Sequence, residues 1–201
     1  MVELSRPRAP EADRTVAIYR TAARIFHEKG YHATSINEIA EAVQLTKAGL
    51  YYYIKGKQDL LFAIMTFAMD RLEAHVIARA REEEDPEARL RAVIRHHARL
   101  ITEDSSALTI LVNELGGLTP DHRREIVRRQ RAYTEFIRDT LVALRAQGRL
   151  VDVDPTVAAF SVLGAVLWVS RWFRRDGRLP AEQVVSELET LILGGVLRSS
   201  R

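Results

Sequence analysis

Apolar residues recur along this chain at intervals of three and four, the period of helices that bury one side. No stretch alternates apolar and polar positions with a β-branched bias, so the expected fold class is all-α. A first helix is expected from near Ala12 to Gly30, with Tyr19, Ala22, Ala23 and Phe26 on one buried stripe. Ser35-x-x-Glu38 has the form of a capping box and opens a second helix whose apolar face is Ile36, Ile39, Ala40 and Val43. Gln44-Leu45 makes a turn, and Thr46 caps a third helix that runs to Tyr53 or Ile54.

Gly56 breaks the pattern, and a long helix follows from about Lys57 to Arg81, with Leu60, Leu61, Ile64, Phe67, Ala68 and Leu72 inward. Pro86 opens the next, to Glu103. Ser105 or Ser106 caps a short one that ends at Gly116-Gly117. Thr119-Pro120 starts a long basic helix to about Gln147, and Asp154-Pro155 starts one ended by Asp176-Gly177. Pro180 opens the last, to about Leu197. The pattern therefore predicts nine helices: a flexible arm over 1–11, a three-helix unit over 12–56, and six helices over 57–201. No internal repeat is visible.

Composition narrows the class. With 201 residues, 47% hydrophobic and 28% charged, the chain can bury a substantial core. A net charge of +3 does not by itself call for a polyanionic partner. The absence of cysteine excludes disulfides, zinc-thiolate sites and thiol nucleophiles. Residues 1–10 lack an apolar core, and Val157 to Val169 is too short to cross a bilayer, so a soluble, cytoplasmic protein is expected. His96 and His97 are adjacent, about 100° apart on a helix, and cannot share a metal. The remaining histidines have no ligand-spaced partner, and there is no phosphate loop or nucleophile elbow. No catalytic residue, metal or cofactor is expected.

Two helices joined by a tight turn over Ser35 to Lys57 form a helix-turn-helix, whose second helix enters the major groove of DNA. Thr46, Lys47 and the hydroxyls of Tyr51 and Tyr52 can donate to phosphates. Ala48 and Gly49 are small enough for close approach to base edges. Thr34 and Lys57 stand at helix N-termini that favour a phosphate, and Ser35 and Lys55 complete the expected DNA-binding set. Leu50 and Tyr53 are the expected core residues of the third helix, which turns Tyr51 and Tyr52 outward. Capping boxes and short helix pairs are common, so spacing alone also allows a purely structural reading.

Ile18 to Met65 resembles the TetR family of one-component transcription regulators. The resemblance is carried by Ala22-Ala23-x-Ile25-Phe26, Lys29-Gly30-Tyr31, Ala33-Thr34-Ser35-Ile36 and Glu38-Ile39-Ala40-Glu41-Ala42. Thr46-Lys47-Ala48-Gly49-Leu50-Tyr51-Tyr52-Tyr53-Ile54 and Lys57-Gln58-Asp59-Leu60-Leu61 are its strongest pieces. It implies phosphate contacts from Thr34, Thr46, Tyr52 and Lys57, and groove contacts from Lys47, Ala48, Gly49 and Tyr51. Tyr52 stands where such proteins often have His, and Ile54 where they usually have Phe.

The rest of the chain is expected to bind an effector and to dimerise, since one such head reads only a half-site. The expected dimer interface is Phe160, Gly164, Leu188, Leu191, Ile192 and Gly195, with small residues permitting close helix approach. The effector site is expected at Asn113, Glu114, Tyr133, Trp168, Arg171 and Trp172, although aromatics at helical spacing are as compatible with a core. Leu167-Trp168-x-x-Arg171-Trp172-Phe173 and Asp176-Gly177-Arg178-Leu179 resemble TetR-type repressors of fatty-acid and sterol degradation that respond to acyl-coenzyme A thioesters. Leu167 replaces a frequent Asn there. Arginines 123, 124, 128, 129 and 131 either meet coenzyme A phosphates or form a solvated face. These readings imply a homodimeric repressor on a palindromic operator of double-stranded DNA, released by a small hydrophobic effector such as an acyl-coenzyme A. The alternatives are a multidrug-sensing repressor of an efflux gene and a helical ligand carrier without DNA binding.

Overall fold

The computed structural model describes residues 9–198. The helices are α1 (Ala9–Lys29), α2 (Ile36–Ala42), α3 (Lys47–Tyr53), and α4 (Lys57–Leu72, continuing through a π turn, Glu73–Ile77, to Ala78–Arg81). They continue as α5 (Pro86–Glu103), α6 (Ser106–Asn113), α7 (Pro120–Ala146), α8 (Pro155–Trp172) and α9 (Ala181–Val196), with a single 3-10 turn at Leu115–Gly117. Among the described residues there is no strand, and Leu150 and Leu197 form an isolated antiparallel bridge. The all-α class is as the pattern predicts.

Local chemistry sets most boundaries. Asp85 accepts from the N–H groups of Glu87 (3.1 Å) and Ala88 (3.0 Å), and Pro86 fills the first position of α5, where its missing N–H costs nothing. Asp154 and Pro155 repeat this device for α8. Each such cap is worth about 1 kcal/mol. Two ends differ from the expectation. α1 begins at Ala9, with Pro10 in its first turn, so residues 9–11 of the expected arm are helical and only 1–8 lie outside the described residues. α8 stops at Trp172, because Phe173 turns extended and Arg174 to Gly177 close a turn of their own through a 3.0 Å backbone bond.

Two compact units are distinguishable. One comprises the chain as far as Ala68 together with Ser106–Arg124, and the other Met69–Ser105 together with the chain from Glu125 onward. The sequence division at residues 56/57 thus lies inside the first unit. There, α1 packs on α2 and α6, and α2 on α3, around Ile18, Phe26, Ile39, Leu50, Leu60, Leu61 and Ile64. Gly117 is the tightest point, since a Cβ there would stand 2.8 Å from both Leu61 Cδ2 and Tyr31 Cε1.

In the second unit α5 packs on α8 and α9 around Val93, Ile94, Val162, Val169 and Leu193. An arginine ladder fixes α9. The Glu189 carboxylate is buried and accepts from Arg91 Nη1 (2.6 Å), Arg95 Nε (2.9 Å) and Arg95 Nη2 (3.2 Å). Burial would raise Glu189, but the Arg95 and Arg91 bonds hold its carboxyl below the usual range. Arg99 adds a two-pronged contact to Glu182 on the same side of α9.

Candidate nucleic-acid interface and effector-binding residues

The capping box at Ser35 is complete: its hydroxyl accepts from Glu38 N–H (3.2 Å) and its N–H donates to Glu38 Oε2 (2.7 Å). Lys29 also binds the Glu38 carboxylate, and Lys29 with the Ser35 bonds lowers the Glu38 pKa to about 2. Gln44 takes a positive φ of 57°, and Leu45 N–H reaches back to Ala40 O at 2.8 Å, which closes the turn. Arg14 donates to Val43 O at 2.7 Å and ties the turn to α1.

α3 then places its side chains as the helical period requires. Leu50 and, just beyond the helix, Ile54 are buried, whereas Lys47, Ala48, Tyr51, Tyr52 and Lys55 are exposed. Tyr51 is 44% exposed and Tyr52 74%, the latter well beyond the intermediate burial usual for a tyrosine. Tyr53 is half-buried and meets the Tyr52 ring edge-on at 5.1 Å. An outward face of a cation, a methyl group and two phenols is what a groove-reading helix offers.

Three expected DNA contacts are placed differently. Thr34 is buried, and its hydroxyl donates to Gly30 O at 2.9 Å, so it closes the end of α1 instead of facing a phosphate. Gly49 is half-buried; its N–H donates to Thr46 Oγ1 at 3.0 Å, and a Cβ would lie 3.2 Å from that oxygen, so its smallness serves the cap of α3. Lys57 is half-buried, with Nζ 3.3 Å from His32 O and 4.6 Å from the Tyr31 ring centroid. Ser35 and Thr46 remain at the surface, each accepting a helix N–H.

The expected effector residues are divided between the two units. Asn113 ends α6 and Glu114 follows it in the first unit, whereas Tyr133, Trp168, Arg171 and Trp172 belong to the second. Tyr133 is buried, with its hydroxyl 3.0 Å from His97 Nδ1. Burial pushes the Tyr133 phenol well above its ordinary range and the His97 imidazole down to about 4. His97 was absent from the expected set, yet it continues the buried stripe Leu90, Val93, Ile94 and Ile101 at spacings of three and four. That spacing was the available signal.

Trp168 (65% exposed), Arg171 and Trp172 (48%) face outward. They fall at helical spacing in line with exposed Val157, Phe160 and Gly164, on the same outward face of α8. On α9, Leu191 and Gly195 are exposed, whereas Leu188 and Ile192 are half-buried. A Cβ at Gly164, Gly194 or Gly195 would meet nothing within 4 Å.

Of the arginines on α7, Arg124 pairs with Asp121, Arg128 with Glu125 (2.7 Å), and Arg129 with Asp70 (2.6 Å) and Glu73 (2.9 Å). A cleft of about 470 Å³ in the second unit contains His75 from the π turn and His96. Its three arginines are each paired, Arg71 with Glu103 at 3.2 Å, Arg79 with Glu82 at 4.0 Å and Arg99 with Glu182 at 2.7 Å. Among the described residues no cluster of three or more His, Cys, Asp or Glu could hold a metal.

Residues 18–64 match the family model for bacterial regulatory proteins of the tetR family, and residues 83–196 match that for the tetracyclin repressor-like C-terminal domain. A crystal structure of AibR in complex with isovaleryl coenzyme A and operator DNA is 42% identical, with a TM-score of 0.81, over 89% of this chain and 97% of AibR. The transcriptional repressor KstR2 of Rhodococcus jostii is 25% identical over 92% of each chain. The fatty acid metabolism regulator protein of Bacillus subtilis is 20% identical over 89% of this chain and 93% of its own. The exposed face of α3, the helical unit that follows and two matched family models together place this chain in the TetR family of transcription regulators.

Proposed function

We propose that two copies of this chain bind a palindromic operator through α3 and repress transcription until a coenzyme A thioester releases them. The observation that carries the DNA contact is the outward face of α3. Leu50 anchors the helix, Thr46 caps it, and Lys47, Ala48, Tyr51 and Tyr52 are left to the groove and its phosphates. Lys55 and Ser35 flank that face as further phosphate donors. Such an operator, on chromosomal DNA, puts the protein in the cytoplasm. α8, with 18 residues, is long and apolar enough to cross a membrane by length and composition, but a helix pairing with its own copy has the same composition.

Dimerisation is supported by the apolar stripe of α8, where Val157, Phe160, Trp168 and Trp172 are each about half exposed or more, and by Leu191 on α9, which is 74% exposed. Large apolar side chains in register on one face, beside glycines with open space, fit a two-fold helix-on-helix contact.

A thioester effector is supported by AibR, crystallised with isovaleryl coenzyme A, and by the relative from Bacillus subtilis named as a fatty acid metabolism regulator. A cationic-drug pocket would call for buried acids. Among the described residues the one buried carboxylate is Glu189, already held by two arginines. Release requires the effector to favour the conformation with wrongly spaced heads, and a differential of about 3 kcal/mol weakens operator binding roughly a hundredfold.

Fluorescence anisotropy with DNA from beside the protein's own gene tests the reading. Tyr51→Ala should cost about 1–3 kcal/mol of specific binding, and long- or short-chain acyl-coenzyme A, but not cationic dyes, should release the wild type. Unchanged affinity in Tyr51→Ala would exclude this docking of α3.

A further inference from the structure

His97 on α5 and Tyr133 on α7 form a polar pair in an apolar interior. The imidazole is 2% and the phenol 4% exposed. The rings meet edge-on at 5.6 Å, and the one hydrogen bond between them, Tyr133 Oη to His97 Nδ1 at 3.0 Å, leaves His97 Nε2 buried without a hydrogen-bond partner. Along the same helix faces lie Val93, Ile94 and Ile101 of α5 and Ile126 and Ile137 of α7, all buried.

The contact can be made in two ways, and both leave a donor over. When the phenol O–H donates to Nδ1, the imidazole hydrogen sits on Nε2 and meets nothing. When Nδ1–H donates to the phenol oxygen, the phenol hydrogen is left. Burial keeps the ring neutral near pH 7, so a doubly protonated imidazolium does not enter. Leaving a buried donor unmet is costly enough that such groups normally face a water or a ligand.

We infer that the His97–Tyr133 pair donates a hydrogen bond to the carbonyl oxygen of the effector's acyl thioester; this rests on the acyl-coenzyme A reading above. The chemistry selects that ligand. An aliphatic acyl chain suits the isoleucine and valine surroundings, and its thioester supplies one acceptor for one spare donor. A hydrocarbon leaves the donor unmet, and a cationic drug brings a charge that no free acid here balances. The pair thereby reads the acyl end of the ligand and leaves the nucleotide end to other residues.

Calorimetric titration of the full-length protein tests this, first with thioesters from isovaleryl to palmitoyl coenzyme A. The tightest of them is then compared with its thioether, in which a methylene replaces the carbonyl. Wild type should bind the thioester about tenfold more tightly than the thioether. His97→Leu and Tyr133→Phe should each bring that ratio close to one while changing thioether affinity little. Should His97→Leu fail to fold by thermal melt, Tyr133→Phe, which keeps the ring, carries the comparison. Equal binding of thioester and thioether by wild type would overturn the carbonyl contact and leave the acyl-coenzyme A reading intact. A tenfold ratio that survives in the folded variants would assign the carbonyl to other groups, or the pair to a resident water, and overturn the inference. Absence of binding by every thioester would overturn both readings together.

Discussion

Burying the His97 imidazole makes the folded state sensitive to acid. Its folded pKa is about 4 against an ordinary 6.5, so between those values the unfolded chain holds a proton that the folded chain does not. Stability therefore rises with pH through that window, is fully present above about 6.5, and is lost as pH falls towards 4. The integrated effect is about 3 kcal/mol. Urea denaturation at pH 7 and pH 4.5 should show a smaller loss for His97→Leu than for wild type, and an equal loss would place the acid sensitivity elsewhere. Single residues were unequally legible in the sequence. The outward turn of Tyr51 and Tyr52 follows from the helical period once Leu50 is known to be core. Thr34 was not legible as a buried residue, because its bond to Gly30 O depends on how α1 ends, where Gly30 takes a φ of 91°. Gly49 is legible as small, but its closeness to Thr46 Oγ1 depends on how α3 is capped.

At the scale of elements, the side of α9 that carries Glu182 and Glu189 is bound by charge to α5. Arg91, Arg95 and Arg99 repeat every fourth residue and so form a row on one face. Their acids lie far off in sequence, with Arg95 and Glu189 separated by 94 positions, so helical periodicity alone does not reveal this pairing. Glu189→Ala should cost about 1–3 kcal/mol in chemical denaturation, less than for a fully enclosed pair because both arginines can turn to water. Arg91→Ala should cost less than Glu189→Ala, since Arg95 still satisfies the carboxylate. The starts of α2, α3, α5 and α8 were plain from their caps and prolines. α8 hid its orientation, because a helix apolar on most sides does not reveal which face a monomer covers. The pattern points Trp168 and Trp172 to a pocket, whereas the fold leaves both exposed.

For the whole molecule, the outward stripe of α8 and Leu191 of α9 mark where a second copy is proposed to pack. Phe160→Asp combined with Leu191→Asp should leave helical content intact and yield a monomer in analytical ultracentrifugation, because two charges cannot be buried at a two-fold contact without partners. Operator affinity should fall with dimerisation, as one head contacts one half-site only. A double variant that remains dimeric would move the interface off α8 and α9.

Gly117 has a consequence for how this sequence can change over generations. Every amino acid reachable from a glycine codon by one base change carries a Cβ, and that atom would arrive 2.8 Å from Tyr31 and Leu61. Both of those side chains are buried and have little room to retreat. Drift at residue 117 is therefore open only to lineages in which both Tyr31 and Leu61 have given way, and the three positions should vary together or stay as they are.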